Sequence, residues 1–302
     1  MNFFQEIELA FQNKEIFLVF FFIIGACLGS FFNVVAFRYP MIMDSNNSRD
    51  ITAWLEEKKI IAPESLKAQE KEISLSFPSS HCYSCSNSLK WYHNIPILSY
   101  ILLKGKCGFC KTPYSIQYPI VEFLGGLILA LVYNHYFFTY GLNAFFLASI
   151  FFVLGYLLLI VDFKTLMLPD GLNYFLLWTG LLFSTFDIYI LKGINLQDSV
   201  WGAIIGFLIL WTLSTVGEKI KGVSVMGDGD LKLIAAIGSF IGFKGVIFTI
   251  FLSPFIGILT WAYFKLKGNK EPEFPYGPAL IISSWIYLYN GKGILDYLNI
   301  PF

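Results

Sequence analysis

The sequence predicts an all-α polytopic membrane protein of about eight transmembrane helices, with one small polar module between the first and second. Three observations predict it. Of 302 residues, 56% are hydrophobic and 14% are charged, whereas soluble domains average about 45–50% and 25%. The apolar residues fall in long uninterrupted runs. Only the stretch 39–118 is polar enough to fold in water. The formal net charge is +0, so the basic footprint of a nucleic-acid partner is missing. The partner that the composition does imply is the lipid bilayer.

A spanning helix needs roughly 20 mostly apolar residues. Such runs occur at 16–37, 119–138, 143–161, 172–191, 198–216, 231–247, 248–264 and 275–290. The first is preceded by Glu6, Glu8 and Glu15 against Lys14. A secretory signal carries a positive flank, so the first run reads as a retained membrane helix. The pair between 231 and 264 is divided only by Gly242-Phe243-Lys244-Gly245. That stretch reads either as two spans or as one long helix with a re-entrant piece. The organisation is therefore 1–38 as the first membrane helix, 39–118 as the module, and 119–302 as the helical bundle. In the module, Asp44–Ser76 is charged, with helix expected around Ala53–Lys59 and Leu66–Glu72. No internal repeat stands out.

Lysines set the orientation, because cytoplasmic connections carry more positive charge. Lys164, Lys219, Lys221, Lys265, Lys267 and Lys270 fall in connections on one side, with Lys232 just inside the next helix. Lys14, Lys192, Lys244 and Lys292 are spread one per segment on the other. This bias puts the polar module, Asp162 and Asp230 on the cytoplasmic side.

Four of the five cysteines form two C-x-x-C knuckles, Cys82/Cys85 and Cys107/Cys110. Two knuckles supply four thiolates, which suit a closed, tetrahedral, structural zinc site of the zinc-ribbon kind. The other readings are four free thiols or two reducible disulfides. His81 and His93 stand nearby as substitute ligands. Cys27 sits alone in an apolar run.

Two aspartates end or begin apolar runs. Asp162 follows Leu157-Leu158-Leu159-Ile160-Val161 without a turn, and an ionisable group near membrane depth is a functional candidate. Asp170, after Pro169, reads as an ordinary helix N-terminal residue. Asp230 lies in Met226-Gly227-Asp228-Gly229-Asp230-Leu231-Lys232, where two glycines relax the backbone before a helix. Asp228 reads as a cap. Two carboxyls brought together share one proton, since both ionise only at high cost. The ionised member activates water and the protonated one polarises a carbonyl, with no cofactor needed.

Together these residues resemble the prepilin peptidases, a bacterial branch of the Gly-x-Gly-Asp membrane aspartyl proteases. The likeness runs along nearly the whole chain. Gly29-Ser30-Phe31-Phe32-Asn33-Val34-Val35 with Arg38-Tyr39-Pro40 matches the first-helix signature. Phe77-Pro78-Ser79-Ser80-His81-Cys82 leads into the first knuckle, and Trp91 through Tyr100 fills the stretch between knuckles. Tyr118-Pro119-Ile120-Val121-Glu122, Asp162 through Asp170, Gly227 through Lys232 and Phe274-Pro275-Tyr276-Gly277-Pro278 complete it. The resemblance implies an endopeptidase of the bacterial inner membrane with its active site facing the cytoplasm. It implies cleavage after glycine in type IV prepilins and in the pseudopilins of type II secretion, with Asp162 and Asp230 as the catalytic pair. Keeping both knuckles implies N-methylation of the new terminus with S-adenosylmethionine. No glycine-rich nucleotide loop marks a methyl-donor site.

Three other readings compete. A peptidase without methylation is one. An ion-coupled transporter would place its aspartates near the bilayer midplane and show internal repeats. A zinc-containing membrane scaffold would tolerate loss of either aspartate.

Overall fold

The computed structural model describes residues 11, 13–58, 74–77, 79–190, 194–222, 226–266 and 274–297. Among them all regular structure is helical, apart from two isolated bridges, His81 to Ser88 and Lys106 to Pro113. The helices are α1 (Lys14–Glu57), α2 (Leu98–Leu102), α3 (Gln117–Val132), α4 (Leu142–Thr165), α5 (Asp170–Thr185), α6 (Leu196–Lys221), α7 (Asp228–Leu266) and α8 (Gly277–Tyr297). A π-helical turn, Tyr133–Phe137, carries α3 on to Tyr140. Five helices, α1, extended α3, α4, α6 and α7, are long and apolar enough to cross a membrane. The protein is polytopic and all-α, as expected. Each expected apolar run lies largely on helix, although 172–191 runs past the end of α5 and 275–290 begins two residues before α8.

α7 explains how two runs merge. At about 1.5 Å per residue, an unbroken helix of 39 residues would be roughly twice the thickness of a bilayer core. It is broken at Gly242, with φ 67 and ψ −175, a conformation that only glycine adopts at little cost. The break falls on the first residue of the expected divider.

α1 departs from expectation. It does not end near residue 37 but continues through Pro40 to Glu57, for 44 residues. Its far half is polar but not bare. Ser45, Ser48 and Thr52 are buried, and the Thr52 hydroxyl donates to the Ser48 carbonyl at 2.8 Å. At about 66 Å the helix outruns a bilayer core of about 30 Å, so it carries the chain from lipid into water. The helix expected at Leu66–Glu72, together with Pro78, Lys192, Lys267 and Lys270, lies outside the described residues.

The chain divides into two compact units, Ile23–Leu127 and the remainder, Met1–Phe22 with Ile128–Phe302. In the Ile23–Leu127 unit, α1 and α3 meet backbone to backbone. Gly25 abuts Gly125, and a Cβ on Gly29 would stand 2.7 Å from the Val121 carbonyl. Small residues at such crossings let membrane helices approach closely. Asn33 Nδ2 donates to the Tyr118 carbonyl at 3.3 Å. Arg38 donates to the Ser74 and Leu75 carbonyls at 2.9 and 3.0 Å.

In the second unit the first half of α7 is the hub. Leu233, Ile234, Ala236, Ile237 and Ile241 are almost fully buried. α6 crosses it where Gly202 faces Gly238, and α5 where Gly180 faces Ser239 and Phe240. Phe151 of α4 packs on Phe240 with ring centres 4.9 Å apart. α8 joins α4 through Phe152 stacked on Trp285 at 5.1 Å. This packing brings the end of α4 and the starts of α7 and α8 into one place.

Candidate active site and cysteine centre

Asp162 lies one turn before the end of α4 and is 4% exposed. The helix stops because Leu166 turns left-handed, at φ 56, and returns its N–H to the Asp162 carbonyl at 2.9 Å. A left-handed residue at this place closes many helices, although glycine is the usual occupant. Pro169 then starts α5 at Asp170. Asp230 is the third residue of α7 and is 9% exposed.

Leu168 lies against both Gly229, next to Asp230, and Gly277, which touches Asp162, so the two carboxyls fall in one neighbourhood. Three features hold the arrangement. The Gly277 N–H, at the start of α8, donates to Asp162 Oδ2 at 3.0 Å in a buried position. Gly229 lies so close to Leu168 that a Cβ there would be 2.8 Å from the leucine Cβ. Asn173 Nδ2 donates to the Gly229 carbonyl at 3.3 Å. Asp230 Oδ1 is buried and has no protein partner among the described residues. A buried polar atom left in that state costs free energy unless water or a substrate group meets it.

Asp170 does what a helix N-terminal residue does. It also forms an ion pair with Lys232 at 2.7 Å, which ties α5 to α7 at the exposed edge. The late Pro/Gly segment serves as a helix entry and touches the candidate site, since Gly277 starts α8 and also donates to Asp162.

Three residues near the pair carry little or no signal of their own in the sequence. Asn173 is fully buried, and its only signal was a polar residue inside an apolar run. Tyr276 immediately precedes Gly277, and its hydroxyl meets the Ser253 hydroxyl at 2.7 Å. Ser253 carried no local signal at all.

In the other unit, the sulfurs of Cys82, Cys85, Cys107 and Cys110 all lie within 4.8 Å of one another. Cys82 and Cys110 Sγ are 3.7 Å apart, and none of the four is in a disulfide. Four thiolates about 2.3 Å from one zinc stand roughly 3.8 Å apart, so the donor set fits a tetrahedral ion. The two knuckles share a backbone plan that the side chains conceal. Cys82 N–H donates to the Asn87 carbonyl, and Cys107 N–H to that of Thr112. Ser86 and Lys111, the residues after each second cysteine, are both left-handed at φ 57 and 61. The Thr112 hydroxyl beside Cys110 brings that thiol down to about 6, and backbone N–H groups of Cys85 and Ser84 lower Cys82. Thiolates are the metal-binding form. His93 is not among the clustered ligands.

The family model "Type IV leader peptidase family" matches residues 149–262, the segment that holds Asp162 and Asp230. A second model, "Bacterial Peptidase A24 N-terminal domain", matches 23–136. The chain is 34% identical over 288 residues to the prepilin leader peptidase/N-methyltransferase of Neisseria gonorrhoeae, covering 92% of each.

The chain belongs to the type IV leader peptidase family.

Other members agree over similar lengths. The Stutzerimonas stutzeri protein of the same name is 31% identical over 291 residues, covering 95% of this chain and 96% of its own. The Pseudomonas aeruginosa protein is 32% identical over 275 residues, covering 90% of each. No solved structure matches the chain. For a leader peptidase family member, the buried carboxyl pair and the cysteine cluster are the two features with chemistry to explain.

Proposed function

We propose that the protein is an aspartic endopeptidase of the bacterial inner membrane, with 119–302 as its peptidase bundle. It removes the leader from type IV prepilins and pseudopilins at the cytoplasmic face, and then N-methylates the new terminus. The observation that carries the reading is the burial of Asp162 and Asp230 at the ends of separate helices whose neighbouring residues Gly277 and Gly229 both pack on Leu168, with the Gly277 N–H donating to Asp162. Two buried carboxyls that close on a scissile bond hold one proton between them, because ionising both is costly. One carboxyl takes a proton from the attacking water while the other donates to the scissile carbonyl oxygen. The Gly277 N–H keeps Asp162 aimed, so little reorganisation is needed on attack. A precursor that is a single apolar helix with a polar leader would present its scissile bond at the membrane surface, where both aspartates sit at helix ends.

The transporter reading is disfavoured by the same placement, at the last turn of α4 and the first turn of α7. A mass measurement tests the function. Purified protein incubated with a prepilin-like substrate and S-adenosylmethionine should yield a product lacking the leader and heavier by one methyl group. An uncut substrate would refute the peptidase, and a cut but unmethylated product would leave only the first activity.

The cysteine cluster would hold a structural zinc through Cys82, Cys85, Cys107 and Cys110. With four sulfur ligands it has no open position for catalysis. The wild type should carry one zinc per chain by elemental analysis. Cys107→Ser should lose most of it and render residues 79–116 sensitive to protease, because metal binding and folding are linked in small modules. Unchanged metal content in that variant would remove the cluster from the scheme.

A further inference from the structure

We propose that the cavity in the Ile23–Leu127 unit binds the methyl donor, S-adenosylmethionine, with Glu122 facing its cationic part. This rests on the reading above that the protein methylates. The cavity holds about 280 Å³, near the lower end of small-molecule sites at roughly 300 Å³. It lies between the knuckles, the middle of α1 and the start of α3.

The lining suits the donor's chemistry. S-adenosylmethionine presents a sulfonium cation, an amino-acid zwitterion and a flat purine. Glu122 is the one acid of the lining. It is 9% exposed, and its Oε2 is fixed by the Ile97 N–H at 2.7 Å. Tyr100, Tyr114 and Tyr118 also line the cavity, with Tyr100 edge-on to Tyr114 at 5.1 Å. Aromatic faces attract a desolvated cation and stack on a purine. Arg38, braced on two carbonyls, supplies positive charge for a carboxylate. His93 lines the same space, and its Nδ1 is buried with no partner among the described residues. A ligand polar group there would relieve a cost that the protein alone leaves standing.

A second cavity among the described residues, near Trp285 and Tyr289, is larger at about 370 Å³ but has no acid in its lining. It offers a sulfonium nothing to pair with. Methyl transfer makes an N–C bond as the S–C bond breaks, leaves sulfur with the electron pair as a neutral thioether, and frees one proton from nitrogen. Glu122 is the side chain of this lining suited to hold the amine and accept that proton.

The test uses full-length protein in detergent and radiolabelled S-adenosylmethionine in equilibrium dialysis. Glu122→Gln removes the charge, and Val34→Trp fills the cavity from α1. Each should weaken donor binding at least tenfold and yield a cut, unmethylated product, with zinc content kept. Ultraviolet crosslinking of the labelled donor to wild type should map to peptides within 30–122. If wild type methylates while both variants bind the donor as tightly, or if the crosslinks map to 128–302, the assignment is overturned. If wild type cuts but neither binds the donor nor methylates, the methylation reading fails, and the cavity assignment falls with it.

Discussion

Asp162→Asn and Asp230→Asn should each reduce leader removal to background. An asparagine keeps the shape and the burial but can neither share nor shuttle a proton. Losing one general acid or base costs about 10²–10⁴ in rate. Because the two act as a unit, the double variant should be no slower than either single one. Both chains should still fold, since the amide fills the same space and Gly277 can donate to its oxygen. Asp170→Asn and Asp228→Asn are the contrast. Asp170 pairs with Lys232 at an exposed edge, where its side chain is 55% accessible, and such pairs are worth about 0–1 kcal/mol. Asp228 is exposed at the helix start. Both variants should keep cleavage within a few-fold of wild type, measured as initial rates on one prepilin-like substrate. Equal inactivity of all four would mean that the pair has been misassigned.

Gly277→Ala should slow cleavage roughly a hundredfold without unfolding the protein. A Cβ at this position would stand 2.7 Å from Asp162 Oδ2 and 3.3 Å from Leu168 Cδ1. The carboxylate must swing away, and in doing so it loses the aligned N–H at 3.0 Å. A displacement of about 1 Å at a reacting group can cost a hundredfold. The backbone itself is not the obstacle, because Gly277 begins an ordinary helix. The loss should therefore appear in kcat more than in KM, with thermal unfolding little changed. Placed on Asp162→Asn, the same substitution should add nothing further. Wild-type turnover in Gly277→Ala would show that the contact does not position the carboxyl.

Much of this site is legible in the sequence. Asp162 and Asp230 stood out because a charged residue at the end of an apolar run is rare and costly, and the glycines before Asp230 announced a helix start. The four cysteines stood out through their spacing. Asn173, Tyr276 and Ser253 were not legible in this way. A lone polar residue in a membrane helix has many harmless explanations, and its partner here is a carbonyl or hydroxyl from a different helix. The continuous α1 was missed for a related reason. Its polar half was expected to hold a separate helix around Ala53–Lys59, and the unbroken passage through Pro40 that joins the two is not written in composition.

The local order of residues determined the membrane helices, the break available at Gly242, the two knuckles and the two acidic helix ends. Each depends on neighbours a few positions apart, through hydropathy, glycine conformational freedom or ligand spacing. Only the tertiary structure decided that the end of α4 and the starts of α7 and α8 converge, that Gly277 turns its N–H to Asp162, and that Glu122 lines a cavity with four tyrosines. Those are contacts between distant parts of the chain. They follow from how glycine-lined helices pack against one another, which no short window of sequence contains.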